Sequence, residues 1–195
     1  PHECSSAASD VYKRQKNIRV YACGPTVYDY AHIGNARMAV VFDTLVRLLR
    51  ELYVKVTYVS NITDIDDKII ERSKNEKETV HSITNKFLKI YNDDMEMLNV
   101  IKPDYQPKAT EFVEKMISAV SKLEEKKFAY HAEGNIMFDV SKFNLYGSLS
   151  SRKRDEQISG SRVKVASFKK NPEDFVLWKP SKDSEPAWDS PWGPG

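Results

Sequence analysis

Ile18 to Ala22 form a short strand-like run that opens into a polar, turn-rich stretch ending near Asn35. Beyond it Met38, Val41, Phe42, Leu45, Leu48, Leu49 and Leu52 recur at three-and-four spacing, and Val56 and Tyr58 then alternate with polar neighbours. The first spacing predicts a helix with one buried face, and the alternation a half-buried strand. Strand, helix, strand within about forty residues is the length of a βαβ unit, whose strands run parallel with a right-handed crossover. The chain is therefore expected to be α/β, with a Rossmann-like parallel sheet. Ligands bind such sheets at the carboxyl ends of the strands, where the polar stretch falls.

That stretch reads Tyr-Ala-Cys-Gly-Pro-Thr-Val-Tyr-Asp-Tyr-Ala-His-Ile-Gly-Asn over residues 21–35. Cys23 is a candidate metal ligand and His32 to Asn35 a candidate nucleotide-binding turn. The helix amino terminus should point its unpaired amides at the crevice, which suits phosphate, and Gly34 lets a base or phosphate approach the backbone closely. Taken alone, a His-x-Gly turn is more often a helix cap, and a lone cysteine at a strand end is more often a small buried hydrophobe. A second polar segment, Asn61-Ile-Thr-Asp-Ile-Asp-Asp-Lys68, follows the second strand and arrives at the same sheet edge. Two polar loops are thus expected to converge on one crevice.

Through Cys23-Gly-Pro-Thr-Val-Tyr-Asp29, His32-Ile-Gly-Asn35 and Asn61 to Lys68 the chain resembles the cysteinyl-tRNA synthetases, a family of class I aminoacyl-tRNA synthetases. Phe175-Val-Leu-Trp-Lys179 and Trp188-Asp-Ser-Pro-Trp-Gly-Pro-Gly195 are similar to the stretch that precedes the second zinc cysteine in that family, so the likeness runs from about Asn17 to Gly195. Residue 35 is Asn where the generic class I signature has its second His, a change the family tolerates, since an amide still donates to a phosphate oxygen.

The resemblance implies an ATP-binding ligase of protein biosynthesis, located in the cytoplasm. It would use ATP with Mg2+ to convert cysteine to cysteinyl-adenylate and pass the cysteinyl group to tRNA(Cys). His32 and Asn35 would be catalytic and, with Gly34, would hold ATP. Gly24, Thr26 and Thr63 would line the amino-acid pocket. Asp64, Asp66 and Asp67 could equally cap and charge the next helix. Cys23 would be one ligand of a single Zn2+ that selects the substrate thiol over serine. The other zinc ligands, a Lys-rich signature loop and the anticodon-binding helices are expected beyond Gly195, so the catalytic core is incomplete and the chain is expected to be inactive alone. The rival readings are a paralogous ligase joining cysteine to an amino sugar in mycothiol synthesis, and an inactive tRNA- or zinc-binding module. Asp66-Asp67-Lys68 and a basic, hairpin-bearing insert lean toward the tRNA enzyme.

Within 195 residues the expected organisation is a non-native tail over 1–15, the first half of the catalytic domain with a helical segment over 16–127, the start of a connective-peptide insert over 128–170, and a return toward the catalytic domain over 171–195. Asp10-Val-Tyr-Lys-Arg-Gln15 looks like translated adaptor DNA, and Pro1 to Gln15 has no periodicity. Val80, Ile83, Phe87, Ile90, Tyr91 and Leu98 form one helical stripe, and Phe112, Val113, Met116, Ile117, Val120 and Leu123 another, with Pro103 and Pro107 breaking between them. Phe128 to Tyr130 and Ile136 to Val140, joined across Glu133-Gly134-Asn135, read as a hairpin. His81 and His131 are expected on the surface. With 30 basic and 28 acidic residues the net charge is only +2, which does not by itself announce a nucleic-acid partner. The local excess of bases between Arg152 and Lys170 reads as a solvated charged loop. Cys4 and Cys23 make no disulfide framework, and no apolar run is long enough to cross a membrane.

Overall fold

The computed structural model describes residues 17–150 and 168–195. The tail Pro1–Gln15 and most of the basic stretch, Arg152 to Lys164, lie outside the described residues; Lys169 and Lys170 lie within them. The chain forms two compact units, Pro1–Glu111 and Phe112–Gly195.

In the first unit β1 (Ile18–Ala22) and β2 (Val56–Ser60) pair in parallel from Ile18 opposite Val56 to Ala22 opposite Ser60. Helix α1 (Ile33–Leu52) is the crossover between them. A later segment also pairs with β2 and the loop after it, since Val59 bridges Tyr105 and Ile62 bridges Lys108, both in parallel sense. Pro107 cannot donate to a ladder, but its carbonyl accepts from the Ile62 N–H at 2.8 Å. Two further helices, α2 (Asp67–Glu76) and α3 (Val80–Met97), follow β2.

The core explains how the sheet edge is held. Ala22, Val46 and Tyr58 are buried together between α1 and the sheet, with Val20, Phe42, Val56 and Ile101 around them. A second cluster joins Val27 and Ile62, one from each polar loop, to Ile69 of α2 and to Ile83 and Phe87 of α3. Each loop thus carries one apolar anchor, and burying a side chain of this size is worth about 1.5–3 kcal/mol. The anchors hold down the two polar loops, in which Asp64 is buried and Thr26, Asn61 and Thr63 are part-exposed.

Helix α1 departs from the expected burial. Its apolar positions span a wider arc than one face, and only the side through Ala39, Phe42, Val46 and Leu49 is covered. Met38, Val41, Leu45, Leu48 and Leu52 are exposed, Leu52 to 65%. The described sheet under α1 is narrow and reaches only one side of the helix. On α3 the expected stripe is buried at Ile83 and Phe87, while Leu98 just past its end is exposed.

The second unit packs α4 (Val113–Glu125) near the hairpin of β3 (Ala129–Ala132) and β4 (Asn135–Phe138). Glu133 at φ 47° and Gly134 at φ 79° form the two-residue link, the positive dihedrals that a type I′ hairpin turn requires. A third strand, β5 (Phe175–Trp178), pairs antiparallel with β4. The fully buried Asp174 ahead of β5 accepts from the Tyr130 hydroxyl at 2.8 Å and the Val140 amide at 3.0 Å, which ties β5 to the hairpin. His131 is exposed and pairs with Glu124 at 2.6 Å, and His81 is exposed on α3. No described helix is long and apolar enough to cross a membrane.

Candidate active site

Two loops leave the carboxyl ends of β1 and β2, and their backbones continue the parallel pairing past the strands. Thr26 bridges Thr63, the Val27 N–H donates to the Thr63 carbonyl at 3.2 Å, and the Thr63 N–H donates to the Pro25 carbonyl at 3.0 Å. The Gly24 N–H donates to Asn61 Oδ1 at 3.0 Å. A Cβ on Gly24 would stand 1.6 Å from the Asn61 carbonyl oxygen, so only glycine allows this approach. The sequence reading assigned Gly24 to the substrate pocket; the geometry adds that it is the point where the two loops touch.

His32 is the N-cap of α1. Its Nδ1 accepts from the Gly34 N–H at 3.0 Å, and its own N–H donates to Asn35 Oδ1 at 3.1 Å, a reciprocal capping box built from His and Asn. Because Nδ1 is the acceptor, the neutral imidazole carries its proton on Nε2, which leaves that N–H available to a ligand. Gly34 leaves room for the ring, since a Cβ there would lie 2.7 Å from His32 Cε1. The plain helix-cap role of this turn is therefore present, and it does not compete with ligand binding because it uses the other ring nitrogen.

Gly24, Thr26, His32 and Asn35 line one cleft of about 280 Å³, to which Lys68 and Tyr91 contribute from outside the first loop. Thr63 is paired to Thr26 through the backbone but is not part of the cleft wall, and neither are Gly34 and Cys23. Arg72 on α2 braces the wall. It bonds Asp29 at 2.8 Å and the Tyr28 carbonyl at 2.9 Å, and its guanidinium lies 4.4 Å from the Phe87 ring centre. The hydrogen bond from Arg72 holds the Asp29 carboxyl below the usual carboxylate range.

The aspartates of the second loop resolve into structural duties. Asp64 is buried and accepts from the Thr110 N–H at 3.0 Å and its hydroxyl at 2.6 Å. Asp66 caps α2 by accepting from the Lys68 N–H at 2.9 Å, and Asp67 lies in the first helical turn, where negative charge is favoured. Sequence reasoning missed the Asp64–Thr110 contact and the Arg72 brace. Arginine in an acidic, helical context carries no signal of which carbonyl it will reach.

Cys23 is exposed at the end of β1, with its sulfur 3.9 Å from the Gly24 carbonyl. A thiol so placed is a suitable single zinc donor. Among the described residues, no group of three or more His, Cys, Asp or Glu could hold a metal ion. The described residues therefore fit one ligand position and do not make a metal centre by themselves.

Solved structures with a similar fold are tRNA synthetases. A chain assigned as an arginyl-tRNA synthetase from Campylobacter jejuni matches with a TM-score of 0.55 at 19% identity, covering 67% of this chain and 39% of its own. The arginyl-tRNA synthetase of Plasmodium falciparum matches with a TM-score of 0.53 at 15% identity, covering 66% and 30%. The fold is thus that of this synthetase class. The family model described as the class I (C) tRNA synthetase catalytic domain matches residues 10–195, and the chain belongs to that family. It is 52% identical over 179 residues to a cysteine–tRNA ligase of Rhodospirillum centenum and 54% identical over 178 residues to one of Parvibaculum lavamentivorans. The matches cover 92% and 91% of this chain but 39% and 38% of those relatives, so it spans well under half their length.

Proposed function

We propose that this chain supplies the first half of the nucleotide-binding catalytic domain of a cysteine–tRNA ligase, acting in the cytoplasm. The observation that carries the reading is the pairing of two polar loops at the carboxyl edge of a parallel sheet, beside a cleft lined by His32 and Asn35. In the whole protein a cysteine carboxylate oxygen attacks the α-phosphorus of ATP. The bond to the bridging oxygen breaks, and pyrophosphate leaves with its electron pair. A terminal ribose hydroxyl of tRNA(Cys) then attacks the adenylate carbonyl, loses its proton and displaces AMP.

The residues act mainly by positioning and by stabilising charge, since ATP already carries the leaving group. His32 Nε2–H and the Asn35 amide donate to phosphate oxygens as negative charge develops, with Gly34 keeping the turn open to the nucleotide. Mg2+ accompanies ATP as its counter-ion. Gly24 and Thr26 shape the amino-acid end of the cleft, and Thr63 supports Thr26 through the backbone pairing. Cys23 is proposed as one thiolate ligand of a zinc ion whose other ligands belong to parts of the protein outside this chain. When bound, that ion would supply a contact that a thiol makes and a serine hydroxyl does not. Residues 128–170 are read as the start of the connective-peptide insert, 171–195 as the segment returning to the catalytic domain, and Pro1 to Gln15 as non-native. The tRNA acceptor is preferred over an amino sugar because the similar relatives named above are cysteine–tRNA ligases.

A protein with these residues, extended to the length of its relatives, is expected to catalyse cysteine-dependent ATP–pyrophosphate exchange and to charge tRNA(Cys). Exchange without tRNA charging would transfer the chain to the amino-sugar ligases, and no exchange would overturn the enzyme reading. In the same protein Cys23→Ser is expected to lower zinc content and raise the cysteine KM by about 10²-fold or more, with little change in the KM for ATP. Unchanged zinc by elemental analysis together with an unchanged cysteine KM would remove the metal assignment.

A further inference from the structure

The cleft wall is almost wholly one loop, and among the described residues Lys68 is the sole lysine or arginine in it. Lys68 sits in the first turn of α2, directly after the capping Asp66 and the first-turn Asp67. A cation is disfavoured there by the helix dipole, by a few tenths of a kcal/mol. Local structure therefore explains the two aspartates and leaves the lysine unexplained. Nor does an ion pair account for it, because no carboxylate pairs with the Lys68 ammonium among the described residues. Its Nζ instead lies over the ring of Tyr28 at 5.0 Å from the centroid, on the cleft wall. The one carboxylate on that wall, Asp29, is already engaged by Arg72 at 2.8 Å.

We propose that Lys68 is a substrate-binding residue whose ammonium pairs with an anionic oxygen in the cleft, either a phosphate oxygen of the nucleotide or the carboxylate of the amino acid. This rests on the functional reading above. The cleft then presents a neutral donor pair, His32 and Asn35, on the α1 side and a full positive charge on the α2 side. The placement against the helix dipole is the cost of having that charge where the ligand lies. Tyr28 limits the wandering of a long side chain, which reduces the entropy lost when the ammonium engages its partner.

The test uses the full-length protein with Lys68→Gln, Lys68→Met and Lys68→Arg. Steady-state constants for both substrates are measured in pyrophosphate exchange, together with calorimetric titration by ATP and by cysteine. Loss of a charge-assisted bond should weaken one substrate by about 10–100-fold in Lys68→Gln and Lys68→Met. A change confined to ATP identifies the phosphate, and one confined to cysteine identifies the carboxylate. Lys68→Arg should recover most of the loss. The melting temperature should stay level or rise slightly in Lys68→Gln, because a positive charge leaves the first helical turn. Wild-type constants in both neutral variants, or a loss of affinity that simply tracks a fall in melting temperature, would overturn the assignment. Absence of exchange in the wild-type protein would instead fault the functional reading, and calorimetry with ATP and with cysteine would still judge Lys68.

Discussion

In the full-length protein His32→Ala is expected to lower the rate of cysteine-dependent pyrophosphate exchange by about 10²–10³-fold, the range found when a donor to developing charge is removed. It should also cost about 1 kcal/mol of stability, because Nδ1 is the acceptor that caps α1 at the Gly34 N–H. The two losses come from opposite nitrogens of one ring and can be separated. His32→Asn restores a good N-cap and returns most of the stability, but its short amide cannot reach where Nε2–H reaches. The rate should stay low in that variant. Denaturation midpoints alongside exchange rates would decide the matter. A rate in His32→Ala within about twofold of wild type would reduce His32 to a cap alone.

The second large effect concerns Gly24→Ala. The added Cβ would stand 1.6 Å from the Asn61 carbonyl oxygen and 2.8 Å from its carbon. Both are backbone atoms, so no rotamer change relieves the clash and the loops must part. Parting them breaks the Gly24–Asn61 bond and strains the Thr26–Thr63 bridge, with Val27 and Ile62 anchored just behind. A stability loss of about 3 kcal/mol is expected, at the upper end for an overpacked site. Exchange activity should fall with it, for ATP and cysteine alike, since the whole cleft wall shifts. A melting temperature equal to wild type would show that the two loops do not touch at residue 24.

The frame of the fold was legible in local pattern. Residues 18–60 announced strand, helix and parallel strand through spacing alone, and Glu133-Gly134-Asn135 marked the hairpin because glycine readily accepts positive φ. Pairings made across long stretches of chain were not legible. The bridges of Val59 to Tyr105 and of Ile62 to Lys108 reach a segment broken by Pro103 and Pro107, where a strand signal is suppressed. The pairing of β5 with β4 is fixed by the non-local contact of Asp174 with Tyr130 and Val140. At the site, the convergence of the two polar loops followed from the βαβ order, because parallel strands must end at one edge. What the residues do for one another did not follow. Nothing in the string Asn-Ile-Thr-Asp-Ile-Asp-Asp-Lys separates Asp64, which holds Thr110, from Asp66, which caps a helix, or marks Lys68 as the residue on the cleft wall.

The wide apolar arc of α1 sets how these residues behave as a material in solution. Met38, Val41, Leu45, Leu48 and Leu52 make a ridge three turns and more in length that faces water. An apolar ridge of that extent is a self-adhesive surface when it is not covered. Chains at high concentration gain by burying it against one another, and sulfate or phosphate in the buffer strengthens that tendency by being excluded from protein surface. Among the described residues this helix face therefore favours self-association, and low protein concentration with weakly structuring salts is the regime that limits it.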